Sequence, residues 1–355
     1  MVLRSLYIAS TQGSGGKTTI AVGLCMALRT RGLDAGYFKP VGTLAAHADG
    51  VLLDEDAEFV AGLLELDDAL TDICPVVLDE DALHDVLSGT EVDAMSRVTH
   101  AYERIRAGKD VVVCEGLGEI WQGRFLRTSG AEVVAELDLG TLLVAKFAGA
   151  RLLDDIIYVK DALKDHLLGV LFNMVPESRL PLVRDDYTRF LAKSDIASYG
   201  ARVSSAMLSA VSVAEIVEAL DGTYVCGERY GERQVETYMI GAMSSEHALR
   251  YFQLTPNKVV IVGGDRAEIV LAALDTPTVA VVLTGNYVPS PAVIERAEER
   301  GVPLVSVETD TVSAADGMRR LFGRLRVKER TKIELIAELI DQAVDVDRLV
   351  RDLQA

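Results

Sequence analysis

The sequence predicts an α/β fold: a doubly wound parallel sheet built around a P-loop, then a smaller α/β unit and a C-terminal helix. Three observations predict it. Apolar, β-branched runs of strand length alternate with segments of helical period through about residue 220. The first of these runs, Leu6-Tyr7-Ile8-Ala9, leads directly into a glycine-rich loop ending in Gly-Lys-Thr. Beyond a polar, glycine-rich stretch at 221–231 the same alternation resumes with shorter strands.

The loop runs Ser10-Thr11-Gln12-Gly13-Ser14-Gly15-Gly16-Lys17-Thr18-Thr19, and a helical pattern opens at Ile20. Strand, glycine loop, Gly-Lys-Thr and helix form a phosphate-binding context. Gly13, Ser14, Gly15 and Gly16 would turn backbone N–H groups toward phosphate oxygens, helped by the helix N-terminus and Thr19. Lys17 would reach the β/γ-phosphates and the Thr18 hydroxyl would ligate Mg²⁺. The spacing is a variant one. Thr11 stands where the usual pattern has its first glycine, and Gln12 stands where MinD/ParA-type ATPases carry a signature lysine.

The second strand, Ala35–Gly42, contains Pro40, which places Lys39 at its carboxyl end, the edge where doubly wound sheets bind ligands. Acids at 54–58 open the next helix, where they suit the helix dipole. Asp56 among them reads either as a capping acid or as a metal-associated one. A less regular acidic region spans about 66–92, and a helix over 94–108 leads to the strand Asp110–Cys114. Glu115 directly follows this β-branched run, where a Mg²⁺-associated carboxylate belongs in P-loop proteins. Strands at 142–146 and 168–173 flank a helix around 154–163, and helices near 180–192 and 213–220 close the first unit.

In the second unit, strands are expected at 235–240, 258–262, 279–283 and 304–307, with helices at 245–252, 267–274, 290–300 and 313–322. Domain limits follow: 1–222, 223–330 and a C-terminal amphipathic helix at 331–355. That helix is expected to pack on the second unit or to form a dimer contact. Asp265 in Gly263-Gly264-Asp265-Arg266 is read as a helix N-cap, with an anion site as the alternative. The one basic run, Arg319, Arg320, Arg324, Arg326, Lys328, Arg330 and Lys332, reads as a solvated face or an effector contact.

Composition narrows the function classes. With 355 residues, 49% hydrophobic, the chain has enough apolar surface for two or three domains. A net charge of −18 argues against a nucleic-acid-binding surface. Cys25, Cys74, Cys114 and Cys226 are widely spaced in apolar surroundings, which predicts buried thiols, and the five histidines have no metal-ligand spacing. The first strand begins at once and no apolar run approaches membrane-spanning length, so a cytoplasmic protein is expected, without a signal peptide or a membrane partner.

Four segments in order resemble dethiobiotin synthetase and the dethiobiotin-synthetase-like domain of long phosphotransacetylases. They are Ser10–Thr19, Tyr37-Phe38-Lys39-Pro40-Val41, Asp56-Ala57 and Glu115-Gly116, and the resemblance covers roughly the first 220 residues. It implies ATP and Mg²⁺ as ligands, with Thr18, Asp56 and Glu115 at the metal and Lys17 and Lys39 acting on the transferred phosphoryl group. It also implies that Asn173, after Phe172, reads the adenine; the residue alone equally suits a turn cap. The second unit resembles the DRTGG domain through Val260–Arg266, Leu283-Thr284-Gly285 and Val307–Thr311. In long phosphotransacetylases an acetyltransfer domain follows; here the chain stops at Ala355, so acetyl-phosphate synthesis is not expected.

Two departures separate the chain from dethiobiotin synthetase. Glu115-Gly116 continues as Leu117-Gly118-Glu119-Ile120-Trp121 rather than Ala-Gly-Gly, and Tyr199–Val203 lacks the family's Gly-x-Ile-Pro turn. Three functions follow as expectations. The first is an ATPase or ligase-type enzyme that activates a small carboxylate. The second is a nucleotide-sensing regulatory protein that works through the DRTGG domain, as a homodimer or with an effector. The third is a subunit of a split phosphotransacetylase.

Overall fold

The computed structural model describes residues 3–13, 15–48, 50–90, 92–203, 210–322 and 330–354. The chain divides into two compact units, one formed by residues 1–204 with 327–355 and the other by 205–326.

The first unit is built on six strands: β1 (Leu6–Ser10), β2 (Ala35–Phe38), β3 (Val111–Glu115), β4 (Gly140–Lys146), β5 (Leu167–Val175) and β6 (Ala197–Val203). They form one sheet in the order β6-β5-β4-β1-β3-β2, and every pairing is parallel. Such a sheet is covered on both faces, which is why β1 and β3 are buried at every position. Helices α1 (Lys17–Thr30), α2 (Glu55–Leu63), α3 (Ala94–Arg106), α4 (Gly130–Glu136) and α5 (Arg151–Leu163) make the crossovers. From β1 the chain moves first to β2 and β3 on one side, then to β4 and β5 on the other. The β1–α1 loop therefore lies at the topological switch point, where open α/β sheets bind ligands.

Sequence reading missed β6. Gly200 and Arg202 interrupt its apolar pattern, yet it pairs with β5 from Ala197 to Val203 through irregular register. The expected helix at 180–192 is present but contains a π-helical stretch at Val183–Tyr187.

The second unit opens with α6 (Val213–Ala219), which the sequence reading gave to the first unit. Its Val213 and Ile216, with Leu220, pack in one core with Val259, Ile261, Val282 and Met318, so the second unit begins before residue 213. The stretch taken for a linker supplies an edge strand, β7 (Thr223–Cys226). The remaining elements are β8 (Thr237–Ile240), α7 (Ser245–Leu254), β9 (Lys258–Gly263), α8 (Ala267–Leu274), β10 (Thr278–Thr284), α9 (Pro291–Arg300), β11 (Leu304–Val307) and α10 (Thr311–Phe322). The sheet order is β7-β11-β10-β9-β8, parallel except for β7. One face carries α6 and α10 and the other carries α7, α8 and α9, which gives this unit two core layers.

Asp265 does not cap α8. The N-cap is Arg266, whose guanidinium instead donates to the carbonyls of Gly241 (2.9 Å) and Met243 (3.0 Å). In the basic run, Arg319 pairs with Asp316 at 2.9 Å; Arg324, Arg326 and Lys328 lie outside the described residues, as do the side chains of Arg330 and Lys332.

The C-terminal segment is two helices, α11 (Arg330–Ala343) and α12 (Val346–Asp352), and it packs on the first unit, not the second. The reason is visible in α1. A Cβ at Gly23 would lie 2.3 Å from Ile340 Cγ1 and 3.1 Å from Ile336 Cγ2, so the missing side chain of Gly23 is what admits α11. Arg31 adds ion pairs to Asp341 (2.8 Å) and Asp347 (2.6 Å), and Tyr199 donates to Asp352 at 2.5 Å. All four cysteines are buried and free. Among the described residues no helix is long and apolar enough to cross a membrane.

Candidate functional site

The β1–α1 loop turns into its helix through Gly16, which has φ +82° and caps α1 in the left-handed conformation. Only glycine takes this conformation without cost. A Cβ there would also lie 2.6 Å from Asn173 Nδ2, and one at Gly15 would lie 2.6 Å from Ser10 Oγ. The loop is thus held from both sides. Ser10 Oγ donates to the Gln12 carbonyl at 2.8 Å, and Asn173 Nδ2 donates to the Gly15 carbonyl at 2.8 Å. Ser14 lies outside the described residues.

Beneath the loop, β1 and β3 are in register with Ile8 opposite Glu115, which brings Glu115 under the start of α1. Thr18 Oγ1 donates to Glu115 Oε1 at 2.6 Å, and the Tyr37 hydroxyl donates to Oε2 at 2.7 Å. Burial raises the Glu115 carboxyl above its ordinary range, and the nearby Lys39 ammonium opposes the shift. The same burial raises the Tyr37 hydroxyl, so Tyr37 stays a donor.

Lys39 lies 5% exposed at the carboxyl end of the second strand region, with Nζ 2.6 Å from Asp54 Oδ1 and 3.3 Å from Asp56 Oδ2. Burial alone would lower the pKa of Lys39. Glu115, Asp56 and Asp54 outweigh it, and the ammonium is held above its ordinary value. Asp54 also accepts from the N–H of Ala57 and of Leu44, both at 3.0 Å, so it caps α2 and anchors Lys39 together.

Lys17 is buried, and its ammonium is lowered from the ordinary value mainly by that burial, against the fields of Glu115 and Glu119. Its Nζ donates to the Gly118 carbonyl at 2.5 Å. Glu119 reaches the loop as well: its Oε1 accepts from the N–H of Gly13 at 3.1 Å. A carboxylate therefore sits where a phosphate oxygen would meet the loop.

The residues expected from sequence separate into two groups. Gly13, Gly15, Gly16, Lys17, Thr18, Thr19, Glu115 and Asn173 gather on the loop and the strand ends around it. Asp56 contacts Lys39, and no hydrogen bond joins it to Thr18. Asn173 is fully buried, with its amide between the Gly15 carbonyl and the Arg202 guanidinium (Nε to Oδ1, 2.8 Å). Sequence reasoning missed Tyr37, Asp54 and Arg202. Arg202 had a signal, being a cation inside an otherwise uncharged strand; Asp54 was hidden among the neighbouring acids.

Among the described residues no group of three His, Cys, Asp or Glu side chains could hold a metal ion. A P-loop Mg²⁺ does not need one, because phosphate oxygens complete its shell. The Thr18 hydroxyl and Glu115 carboxylate are a hard oxygen pair that fits such an ion, which would enter by opening their 2.6 Å contact.

The profile of the AAA domain family matches residues 4–221, well over half of the chain. The chain belongs to the AAA domain family. The DRTGG domain profile matches residues 215–321 and so takes in the sheet of the second unit. Phosphate acetyltransferase of Pseudomonas aeruginosa is 25% identical over 373 residues, covering 98% of this chain and 52% of that protein. The chain spans about half the length of the phosphate acetyltransferases it matches. ATP-dependent dethiobiotin synthetase BioD of Caldicellulosiruptor saccharolyticus is 30% identical over 118 residues, covering 33% of this chain and 49% of that one. Among solved structures, the cell division ATPase MinD of Pyrococcus furiosus aligns with TM-score 0.35 and 18% identity over 58% of this chain and 85% of that one. The AAA domain here is a dethiobiotin-synthetase-like P-loop domain joined to a DRTGG domain.

Proposed function

We propose that the chain binds Mg²⁺–ATP on the β1–α1 loop and uses it to activate a small carboxylate by phosphoryl transfer. The observation that carries this reading is the Thr18–Glu115 contact at 2.6 Å directly beneath the glycine loop, with Lys17 buried beside it. Gly13, Ser14, Gly15, Gly16 and Thr19 would cradle the phosphates, and Lys17 would neutralise charge on the transferred group. Thr18 and Glu115 would hold Mg²⁺, which supplies further charge neutralisation when bound. Lys39 would face the acceptor with its charge fixed by Asp54, and Asp56 would act through Lys39 instead of on the metal.

The test is Mg²⁺-dependent ATP turnover across a panel of small mono- and dicarboxylates. The reading expects one or more acceptors to raise turnover well above the basal rate, with Glu115→Gln abolishing the stimulation. Tight ATP binding with no stimulated turnover would reject the enzyme reading.

A second reading is favoured by the match to phosphate acetyltransferase over 98% of this chain. In it the AAA domain senses nucleotide and the DRTGG domain passes that state to a second copy or to a partner subunit. It expects ATP and ADP to give different assembly states in sedimentation; identical behaviour with ATP, ADP and no nucleotide would remove it.

A further inference from the structure

The loop after β3 does more than carry Glu119 to the phosphate loop. The Ile120 N–H ties it to β1 by donating to the Ser10 carbonyl at 2.9 Å, and a tight turn follows in which the N–H groups of Leu126 and Thr128 both donate to the Gly123 carbonyl (3.0 and 3.1 Å). Arg127 ends that turn in the left-handed conformation, φ +57°, which residues other than glycine seldom hold. Phe125, Leu126 and Arg127 line a cavity of about 620 Å³. The rest of its apolar lining comes from Val86, on the helix Glu80–Leu87, and from Val92 and Met95 at the start of α3. The Glu80–Leu87 helix buries none of its residues, and Leu83, Leu87 and Phe125 are all exposed, so apolar surface around this cavity is left uncovered. A largely apolar cavity of this size with a few polar groups has the character of a small-molecule site. Those polar groups indicate the charge of the ligand. Asp93 also lines the cavity, but its Oδ1 accepts from the Ser96 N–H at 3.2 Å and is committed to the N-terminus of α3. The Arg127 side chain has no hydrogen bond or ion pair among the described residues.

We propose that this cavity binds a small monocarboxylate with an apolar body, its carboxylate on Arg127 and its body against Val86, Met95, Phe125 and Leu126. The guanidinium fork matches a carboxylate with two parallel hydrogen bonds, and the apolar lining rewards the rest of the molecule. An apolar cation would leave Arg127 unpaired, and a polyanion would set its further charges against apolar walls. Neither Lys39 nor any residue of the phosphate loop lines the cavity, so this is a second ligand position, apart from the acceptor position beside Lys39. It goes beyond the nucleotide reading above and does not require it.

The experiment titrates the full chain, without nucleotide, with butyrate, hexanoate and octanoate, and with acetate and hexanol as controls. Calorimetry reads binding, and so does the fluorescence of Trp121, the chain's single tryptophan, which stands in the same loop. At least one of the longer acids should bind saturably, with acetate and hexanol weaker by about tenfold or more, the order of one charge-assisted contact. Arg127→Asn removes the cation and keeps a residue that tolerates the left-handed conformation; it should weaken the acid by about tenfold and leave hexanol unchanged. Val86→Trp, which fills the cavity from an exposed helix, should block both. Arg127→Gly serves as the second variant should the asparagine protein not fold. The proposal is overturned if none of the acids binds saturably, if hexanol binds as tightly as hexanoate, or if the Arg127 variants bind the acid like the wild type. Self-association in sedimentation that Phe125→Ser abolishes would assign this face to a second copy and overturn it as well. Because no nucleotide is present, this test and that of the nucleotide reading can each fail alone.

Discussion

Replacing Glu119 with glutamine should tighten nucleotide binding. In the structure Glu119 Oε1 accepts from the N–H of Gly13 at 3.1 Å, and the Lys17 ammonium lies within its field while donating to the adjacent Gly118 carbonyl at 2.5 Å. Any phosphate arriving at the loop must displace this carboxylate and then tolerate its charge nearby. A hydrogen bond to a charged group contributes about 1.5–3 kcal/mol net. Glu119 is only half-buried, and solvent screening brings the figure down to about 1–1.5 kcal/mol. At 1.4 kcal/mol per factor of ten, Glu119→Gln should bind Mg²⁺–ATP about tenfold more tightly. Titration calorimetry at low and physiological salt measures it, and the gain should shrink as salt rises, because part of it is repulsion between exposed charges. Unchanged or weaker binding by the glutamine variant would refute the competition argument and make Glu119 a contributor to the site.

Three other outcomes follow from particular contacts. Lys39→Met leaves Asp54 buried without its cation and should cost about 3–5 kcal/mol in urea unfolding, much of which Lys39→Met/Asp54→Asn, which keeps the α2 cap without the charge, should recover; the native pair holds its stabilisation below the ordinary lysine range and loses it as pH climbs past the raised Lys39 value. Gly23→Leu drives a side chain into Ile336 and Ile340 and should destabilise the first unit by about 1–3 kcal/mol, read as a lower thermal midpoint that Ile340→Ala partly restores. In the second unit, Lys258 is fully buried on Thr276 and Pro277 with no acid partner among the described residues, and burial brings its pKa down to about 8. The unfolded chain then binds more protons between that value and about 10.4, so stability should rise over pH 8–10, by up to about 3 kcal/mol; Lys258→Met should flatten the rise in unfolding measured across that range.

What was legible in the sequence was local. A glycine loop between a strand and a helix needs no tertiary information, and neither does a carboxylate at the end of a β-branched run, so Lys17, Thr18 and Glu115 could be named from pattern alone. Partner choice was not legible. Asp54 and Asp56 are two residues apart in an acidic run, and only the folded chain shows that Asp54 takes both the α2 cap and the shorter contact to Lys39. The C-terminal helix was recognised by its periodicity, but periodicity gives a face and not the surface that receives it. That surface was marked by Gly23, a glycine inside a good helix, which costs about 1 kcal/mol relative to alanine unless something packs there. The limit at 222 follows the glycine-rich stretch, whereas Val213, Ile216 and Leu220 form an amphipathic face that packs in the second unit's core, a choice of sheet that periodicity does not carry.

These corrections converge on the loop itself. Each side of the β1–α1 loop is held by a residue that the sequence singled out: Glu119 from the β3 side, at a departure from the dethiobiotin synthetase pattern, and Asn173 from the β5 side, expected as a base contact or a turn cap. Both meet the loop backbone, one at the Gly13 N–H and the other at the Gly15 carbonyl. The two contacts act in opposite senses. The Asn173 amide holds the Gly15 carbonyl, fixing the backbone that a phosphate would meet, whereas the Glu119 carboxylate occupies a donor that a phosphate would use. Phosphate entry should therefore break the Glu119 contact and keep the Asn173 one, so Glu119→Gln and Asn173→Ala should shift tripolyphosphate affinity in opposite directions. Shifts of the same sign would mean that the two contacts do the same work, and the division of roles around the loop would be wrong.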